Sequence, residues 1–188
     1  MRDIGNFNRE TTIPPEIAFS EFVIGDYNHA GCLPMTSAFV RPFEIRSAVL
    51  SDMDQLCELA GLLLTQIGAQ TTAQDARRVF EHILNSSDLG TVLVAENKGK
   101  LAGYAYASYQ WRAEFGGETM DLVAVFVGPQ WRSKGVGGNL VAALLDIARQ
   151  RGIRRVSAEV HPGNSSIERT LESSGFDPER RTLWGMRL

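Results

Sequence analysis

The run Val125-Phe126-Val127-Gly128-Pro129-Gln130-Trp131-Arg132-Ser133-Lys134-Gly135-Val136-Gly137-Gly138 joins an apolar segment to a glycine-rich turn carrying two cations. The pattern predicts a buried strand, a turn, and then the start of a helix. A helix N-terminus presents unsatisfied N–H groups and about half a positive charge, and a concave turn adds more donors. Glycines let an anion approach the backbone with no Cβ in the way. Arg132 and Lys134 add full charge at the mouth. From Arg132 to Arg155 there are six basic residues and one acid, Asp146, in a chain whose net charge is −3. A polyphosphate is the ligand class this pattern fits. The competing reading is a turn whose glycines only allow close strand–helix packing beside a solvated basic face. Two familiar phosphate loops are excluded. No Gly-x-x-x-x-Gly-Lys-Ser/Thr run is present, and Gly135-Val136-Gly137 lacks the third glycine of a dinucleotide fingerprint.

Arg132-Ser133-Lys134-Gly135-Val136-Gly137 resembles the Arg/Gln-x-x-Gly-x-Gly/Ala motif of the GNAT superfamily of acyl-CoA N-acyltransferases. Val127-Gly128-Pro129 is similar to the family's Val-x-Pro strand end, and Asn164 followed by Gly175-Phe176 to its late Asn…Gly-Phe signature. The resemblance spans residues 43–188. It implies an α/β fold, a single GNAT-like domain whose mixed central sheet has splayed fourth and fifth strands and helices on both faces. It also implies acetyl-CoA as cosubstrate, with no metal. The pyrophosphate would rest on Ser133, Lys134, Gly135, Val136, Gly137 and Gly138, with Arg132 beside them. The pantetheine arm would pair with the backbone of Val125 and Val127. A bulge in the fourth strand would free an N–H near Val125 or Phe126 to polarise the thioester carbonyl. Asn164, with backbone groups up to Ile167, would contact the CoA arm.

The implied reaction is direct attack of an amine on a thioester. The amine must lose a proton, and a positioned base is worth about 10² to 10⁴-fold. Glu118 and Asp121, at the entry of the central strand, are the candidate bases. Glu159 and His161 are weaker alternatives, since a strand interior or a strand mouth accounts for them equally well. The family often places a tyrosine seven residues after the asparagine as the acid. Here that position is Leu171, which would pack with Ile167 on one helix face. Trp111, Glu114 and Phe115, backed by Tyr104, Tyr106 and Tyr109, would either form an aromatic and acidic lip suited to a cationic amine or fill a core or dimer contact as ordinary strand and loop residues. The acceptor is expected to be a small-molecule or peptide amine, and the fold allows a homodimer. A CoA-binding regulatory or interaction module with little turnover is the alternative.

These residues need elements to hold them. Alternation predicts a strand at Phe43–Arg46, and helical spacing predicts a helix capped at Ser51 and a second capped at Thr72. β-rich runs at 91–96 and 101–109 flank Asn97-Lys98-Gly99-Lys100, a hairpin turn. A loop at 111–117 precedes a strand at 121–127, expected to be buried on both faces. Then come a helix at 137–151, a strand at 156–160, a helix at 164–174 and a last strand at 182–188. The order β-α-α-β-β-β-α-β-α-β predicts hairpin-linked strands followed by a helical crossover. Residues 1–42 stand apart, holding four of the seven prolines and no sustained period. They predict an irregular arm ahead of an N-acetyltransferase domain at 43–188.

Composition closes other routes. With 44% hydrophobic and 22% charged residues, 188 residues build a core without a disulfide or metal staple. Cys32 and Cys57 are too few for a disulfide framework or a four-cysteine zinc site. No apolar run reaches membrane-spanning length, and the start carries no basic-then-apolar leader. A cytoplasmic chain is expected. The net charge of −3 argues against a general nucleic-acid binder.

Overall fold

The computed structural model describes residues 43–161, 163–179, 182 and 184–186 of the 188. The arm expected over residues 1–42 lies outside the described residues.

Among the described residues the order is β1 (Glu44–Ser47), α1 (Met53–Gln66), α2 (Ala73–Leu84), β2 (Gly90–Asn97), β3 (Lys100–Arg112), β4 (Gly117–Val127), α3 (Val136–Arg151), β5 (Arg155–Ala158) and α4 (Ser165–Ser173). The strands form one mixed sheet in the order β1-β2-β3-β4-β5. The first three pairings are antiparallel, and β5 joins β4 in parallel after the α3 crossover. Two apolar layers sandwich the sheet. Met53, Leu56, Leu59, Phe80 and Ile83 of α1 and α2 cover one face. Leu140, Val141, Leu144 and Leu171 of α3 and α4 cover the other.

Local chemistry explains most boundaries. Lys98 and Gly99 both adopt positive φ, which gives the tight turn that suits the right-handed twist of β2 and β3. Thr72 accepts from the Asp75 N–H while Asp75 accepts from the Thr72 N–H, a reciprocal cap for α2. Ser51 does not cap α1. Instead a 3₁₀ turn, Leu50–Asp52, leads into the helix, and Asp52 accepts from the Val49 N–H. The Trp111–Gly117 loop is shorter than expected, because Trp111 and Arg112 extend β3 and Gly117 opens β4. Cross-strand pairing overrides the turn-like composition there. Thr182 and Trp184–Met186 lie outside any strand, so the expected last strand does not form over those residues.

Asp52 carries the most buried carboxylate of this face, at 6% exposure. Arg46 grips it with two hydrogen bonds of 2.7 and 2.8 Å and also donates to Glu96. The Arg46 guanidinium, followed by the Val49 N–H, holds the Asp52 carboxyl below the usual carboxylate range against the opposing effect of burial. Asp52→Ala is expected to cost about 2 kcal/mol at pH 7, the worth of charged hydrogen bonds with one partner half in solvent. A depressed folded pKa gives stability that is complete above the unfolded value of about 3.9 and is lost as pH falls through the folded value. Urea titrations should therefore show wild type and variant converging below about pH 4. A gap that stayed constant through that range would remove the ion pair as its cause.

Candidate active site

The central feature is where β4 stops pairing with β5. The parallel ladder runs from Thr119–Arg155 to Leu122–Ala158 and ends there. From Val123 to Val127, β4 continues with a neighbour on its β3 side alone among the described residues. The strands thus splay. The Gly128 N–H donates to the Ala102 carbonyl at 2.9 Å, flanking the Gly103–Val127 pair. That makes Val127 a non-hydrogen-bonded position of the antiparallel ladder, so its own N–H and C=O point away from β3. Val125, two residues back, points the same way. Arg132 Nε donates to the Val127 carbonyl at 3.1 Å from that open side. Phe126 has the opposite phase. It pairs with Tyr104 and buries its ring against that residue.

A bulge sits at the mouth of this gap. Tyr106 pairs with Ala124 and Ala107 with Leu122, leaving Val123 unpaired as the extra residue. The bulge lies ahead of the position expected near Val125 or Phe126, and the freed Val125 N–H arises from the splay instead. An extra residue reverses the facing of every later side chain. Met120 and Leu122 pack under α3, whereas Ala124 and Phe126 pack under α1 and α2 and Val125 and Val127 under α3. Val123 stays 53% exposed, so β4 is not buried on both faces as expected.

The glycine turn closes the far end of the gap. A 3₁₀ turn, Pro129–Trp131, is followed by Ser133 and Gly135 in the left-handed region, and α3 starts at Val136 with Gly135 as its cap. No side chain caps this N-terminus. A Cβ on Gly138 would meet nothing within 4 Å, and one on Gly137 would make only ordinary contacts, the nearest to Val127 at 3.7 Å. Close packing therefore does not demand glycine at either position. What those glycines preserve is open space over the first N–H groups of α3. Lys134 lies over the Trp131 ring at 5.0 Å, and Arg132 reaches Gln66 at 3.1 Å besides the Val127 carbonyl. The polyphosphate reading fits this turn, because the start of α3 has no side-chain cap and a Cβ at Gly138 would meet only open space.

On the opposite flank, Asn164 precedes α4 at the cap position, yet its amide makes no cap hydrogen bond. Its carbonyl accepts from the N–H groups of Ile167 and Glu168, each at 3.2 Å. The Ile167 side chain packs on the α3-side core beside Leu171, which is 6% exposed. Leu171 packs as its spacing predicts. A hydroxyl there would sit in an apolar layer.

The two carboxylates named as bases fall on opposite faces of β4. Glu118, 14% exposed at its side chain, is held by Arg151 through two bonds of 2.8 Å. Arg151 in turn stacks over Tyr109 at 4.1 Å. This cluster ties the end of α3 to the sheet. Asp121 alternates with Met120 and so faces the α1/α2 side. Its side chain is 25% exposed and lies one residue before the last β4–β5 pair. Ser157 donates to one of its oxygens at 2.5 Å; Gln110, at 2.6 Å, and Arg112, at 3.3 Å, donate to the other. Glu159 lies beyond the end of β5 and is exposed, not inside a strand as expected, and His161 is exposed beyond it.

The expected lip does not converge. Trp111 is 80% exposed, Phe115 lies under the Arg155 guanidinium at 4.8 Å, and Glu114 faces Arg112 at 3.8 Å. Tyr104 is buried under α1 and α2, whereas Tyr109 belongs to the other face. The signal that sequence reading missed is Ser157, which lies opposite Asp121 in the ladder and steadies it. Only the parallel register brings the two together. Among the described residues there is no cluster of metal-ligating side chains, and no helix is long and apolar enough to cross a membrane.

Comparison with known proteins agrees with this geometry. The model of the Acetyltransferase (GNAT) family matches residues 55–176. A phosphinothricin N-acetyltransferase of Streptomyces viridochromogenes is 28% identical over 138 residues, covering 72% of this chain and 75% of its own. An aminoglycoside N(6′)-acetyltransferase type 1 of Salmonella typhimurium is 26% identical over 107 residues, covering 55% of this chain and 73% of its own. The structure of the aminoglycoside N-acetyltransferase AAC(6′)-Iy in complex with CoA superposes with a TM-score of 0.67 at 21% identity, over 77% of this chain and 94% of that one. The splayed strands, the open glycine turn and the matched segment carry one conclusion: this chain belongs to the GNAT family of acetyltransferases.

Proposed function

We propose that this protein transfers an acetyl group from acetyl-CoA to the amine of a small molecule. The observation that carries the reading is the gap beside Val123–Val127, into which Val125 and Val127 turn their N–H and C=O groups and which ends at the open glycine turn. An extended ligand arm ending in a polyphosphate has the shape and polarity to fill both. Relatives that acetylate phosphinothricin and aminoglycosides support a small-molecule amine as acceptor.

Each residue then has a task. The N–H groups from Ser133 to Gly138, with Lys134, hold the pyrophosphate. Arg132 gives up its bond to the Val127 carbonyl, which an incoming strand-like arm would use, and turns to the phosphates. The Asn164 amide, with no cap bond of its own, reaches the same arm. The acetyl-CoA cosubstrate supplies an activated thioester. The Val125 N–H lies in the gap, where it can donate to the thioester oxygen as negative charge gathers there. Asp121 takes the proton from the amine, oriented by Ser157, Gln110 and Arg112. Glu118, engaged by Arg151 on the other face, secures α3 and is left out of the chemistry.

Thiol release measured across a panel of amines tests this reading against a CoA-binding module without turnover. Sustained release that depends on an added amine supports transfer. Acetyl-CoA binding with no release for any amine would favour the module. A pH profile adds a second check. With Leu171 in the apolar layer, no phenol of pKa about 10 assists the departing thiolate. The kcat should rise as the amine or its base deprotonates and then level off, while circular dichroism confirms the fold at each pH. A falling alkaline limb in folded protein would mean that another group serves as the acid.

A further inference from the structure

An open groove of about 470 Å³ lies on the α1/α2 face, lined by Asp75, Arg78, Val79, His82, Ile83 and Tyr106. Its inner wall is Tyr106, which pairs with Ala124 beside the bulge residue Val123. The groove therefore runs to within one strand of the splay, a spacing of about 4.8 Å. One side is apolar. Val79 and Ile83 face it, with the Tyr106 ring held edge-on by Phe80 at 6.1 Å. The other side consists of donors. Arg78 and His82 stand four residues apart on one face of α2.

The acid in the groove is already satisfied. Asp75 accepts from the Thr72 N–H and hydroxyl, each at 2.8 Å, and pairs with Arg78. It thereby steers Arg78 and leaves no free carboxylate for a cation. Arg78 uses one terminal nitrogen for that pair, and the His82 imidazole makes no hydrogen bond or ion pair among the described residues. The unspent capacity of the groove is donor capacity.

Resting on the assignment of Asp121 and Val125 to the reacting centre, we propose that this groove is the acceptor subsite and selects an amine that carries an anionic oxygen group on a short apolar chain. Arg78 and His82 hold the anion, Val79, Ile83 and Tyr106 line the chain, and the amine lies at Asp121. Spacing sets the chain length. Asp121 pairs with Ser108, two residues from Tyr106 on β3. That is about 7 Å along the strand from the Tyr106 wall of the groove to the Asp121 position, a span that a short chain can bridge.

The matched series 4-aminobutyrate, butylamine and putrescine places an anion, nothing or a cation at one end of the same chain. In the full-length protein, kcat/KM is expected to favour 4-aminobutyrate over butylamine by about 10-fold or more, the scale of charge-assisted hydrogen bonds. Putrescine should be the poorest acceptor. Arg78→Gln should raise KM for 4-aminobutyrate by a similar factor and leave KM for butylamine and the affinity for acetyl-CoA unchanged. His82→Gln should act in the same direction. Equal or better use of putrescine overturns the proposal, as does an equal effect of Arg78→Gln on all three amines. Calorimetric binding of 4-aminobutyrate and butylamine to the CoA-saturated protein decides the groove without turnover. If no amine releases thiol but 4-aminobutyrate still binds in an Arg78-dependent way, the transferase reading fails and the anion subsite stands. If neither amine binds differently, the subsite fails.

Discussion

Gly138→Asp is expected to abolish acetyl-CoA binding while leaving the protein as stable as before. The position is the third residue of α3 and would accept a side chain without a clash. A carboxylate in the first turn of a helix is itself favourable, by about 0.3–1 kcal/mol. The same carboxylate occupies the space that the phosphates need and repels them. In the wild type, cosubstrate at a hundred times its dissociation constant adds about 2.7 kcal/mol to folding stability. For a domain of this size that amounts to a rise of several degrees in Tm. The variant should show an unchanged or slightly higher Tm alone and no further rise with acetyl-CoA. Gly135 is the weaker place for this experiment. Its φ of 77° would strain any other residue and confuse lost binding with lost folding. A full ligand-induced shift in Gly138→Asp would falsify the assignment of the phosphate site.

Asp121→Asn is expected to lower kcat by about 10² to 10⁴-fold with acetyl-CoA affinity intact. The amide keeps the size of the carboxylate and can still accept from Ser157. It cannot take a proton. The lost rate should return partly at high pH, as the acceptor amine deprotonates in solution and no longer needs a base. Glu118→Gln supplies the contrast. It removes the charge and one of the two bonds to Arg151 at the end of α3, so its main effect should fall on stability, by about 1–3 kcal/mol, with turnover retained. Steady-state kinetics across pH, together with urea titrations of both variants, separate the two roles. If Glu118→Gln loses turnover and Asp121→Asn does not, the base lies on the α3 side and the acceptor must approach from there.

Local chemistry written in the sequence determined the hairpin at Lys98-Gly99, the reciprocal cap of Thr72 and Asp75, the strand-to-helix turn at 128–138 and the packing of Leu171 with Ile167. Each depends on neighbours within a few residues, where φ, capping and helical spacing act. The α/β order and the glycine turn were legible for the same reason. The bulge at Val123 was not, because an extra residue is defined only against the partner strand. Its consequence is global: it reverses which face Ala124 and Val125 present. The separation of Glu118 from Asp121 was only half legible. Both are carboxylates near the start of one strand, and alternation alone says that they face opposite sides. Only the tertiary structure decided that Arg151 waits on one face and Ser157 and Gln110 on the other. The acidic lip failed for a related reason. Glu114 is drawn to Arg112, two residues back in the chain, and Phe115 lies under Arg155 of β5, a meeting that no local pattern encodes. Residue type and short-range spacing thus determined the glycine turn at the start of α3, whereas strand register, which couples residues far apart in the chain, decided which side chains share a face of the sheet.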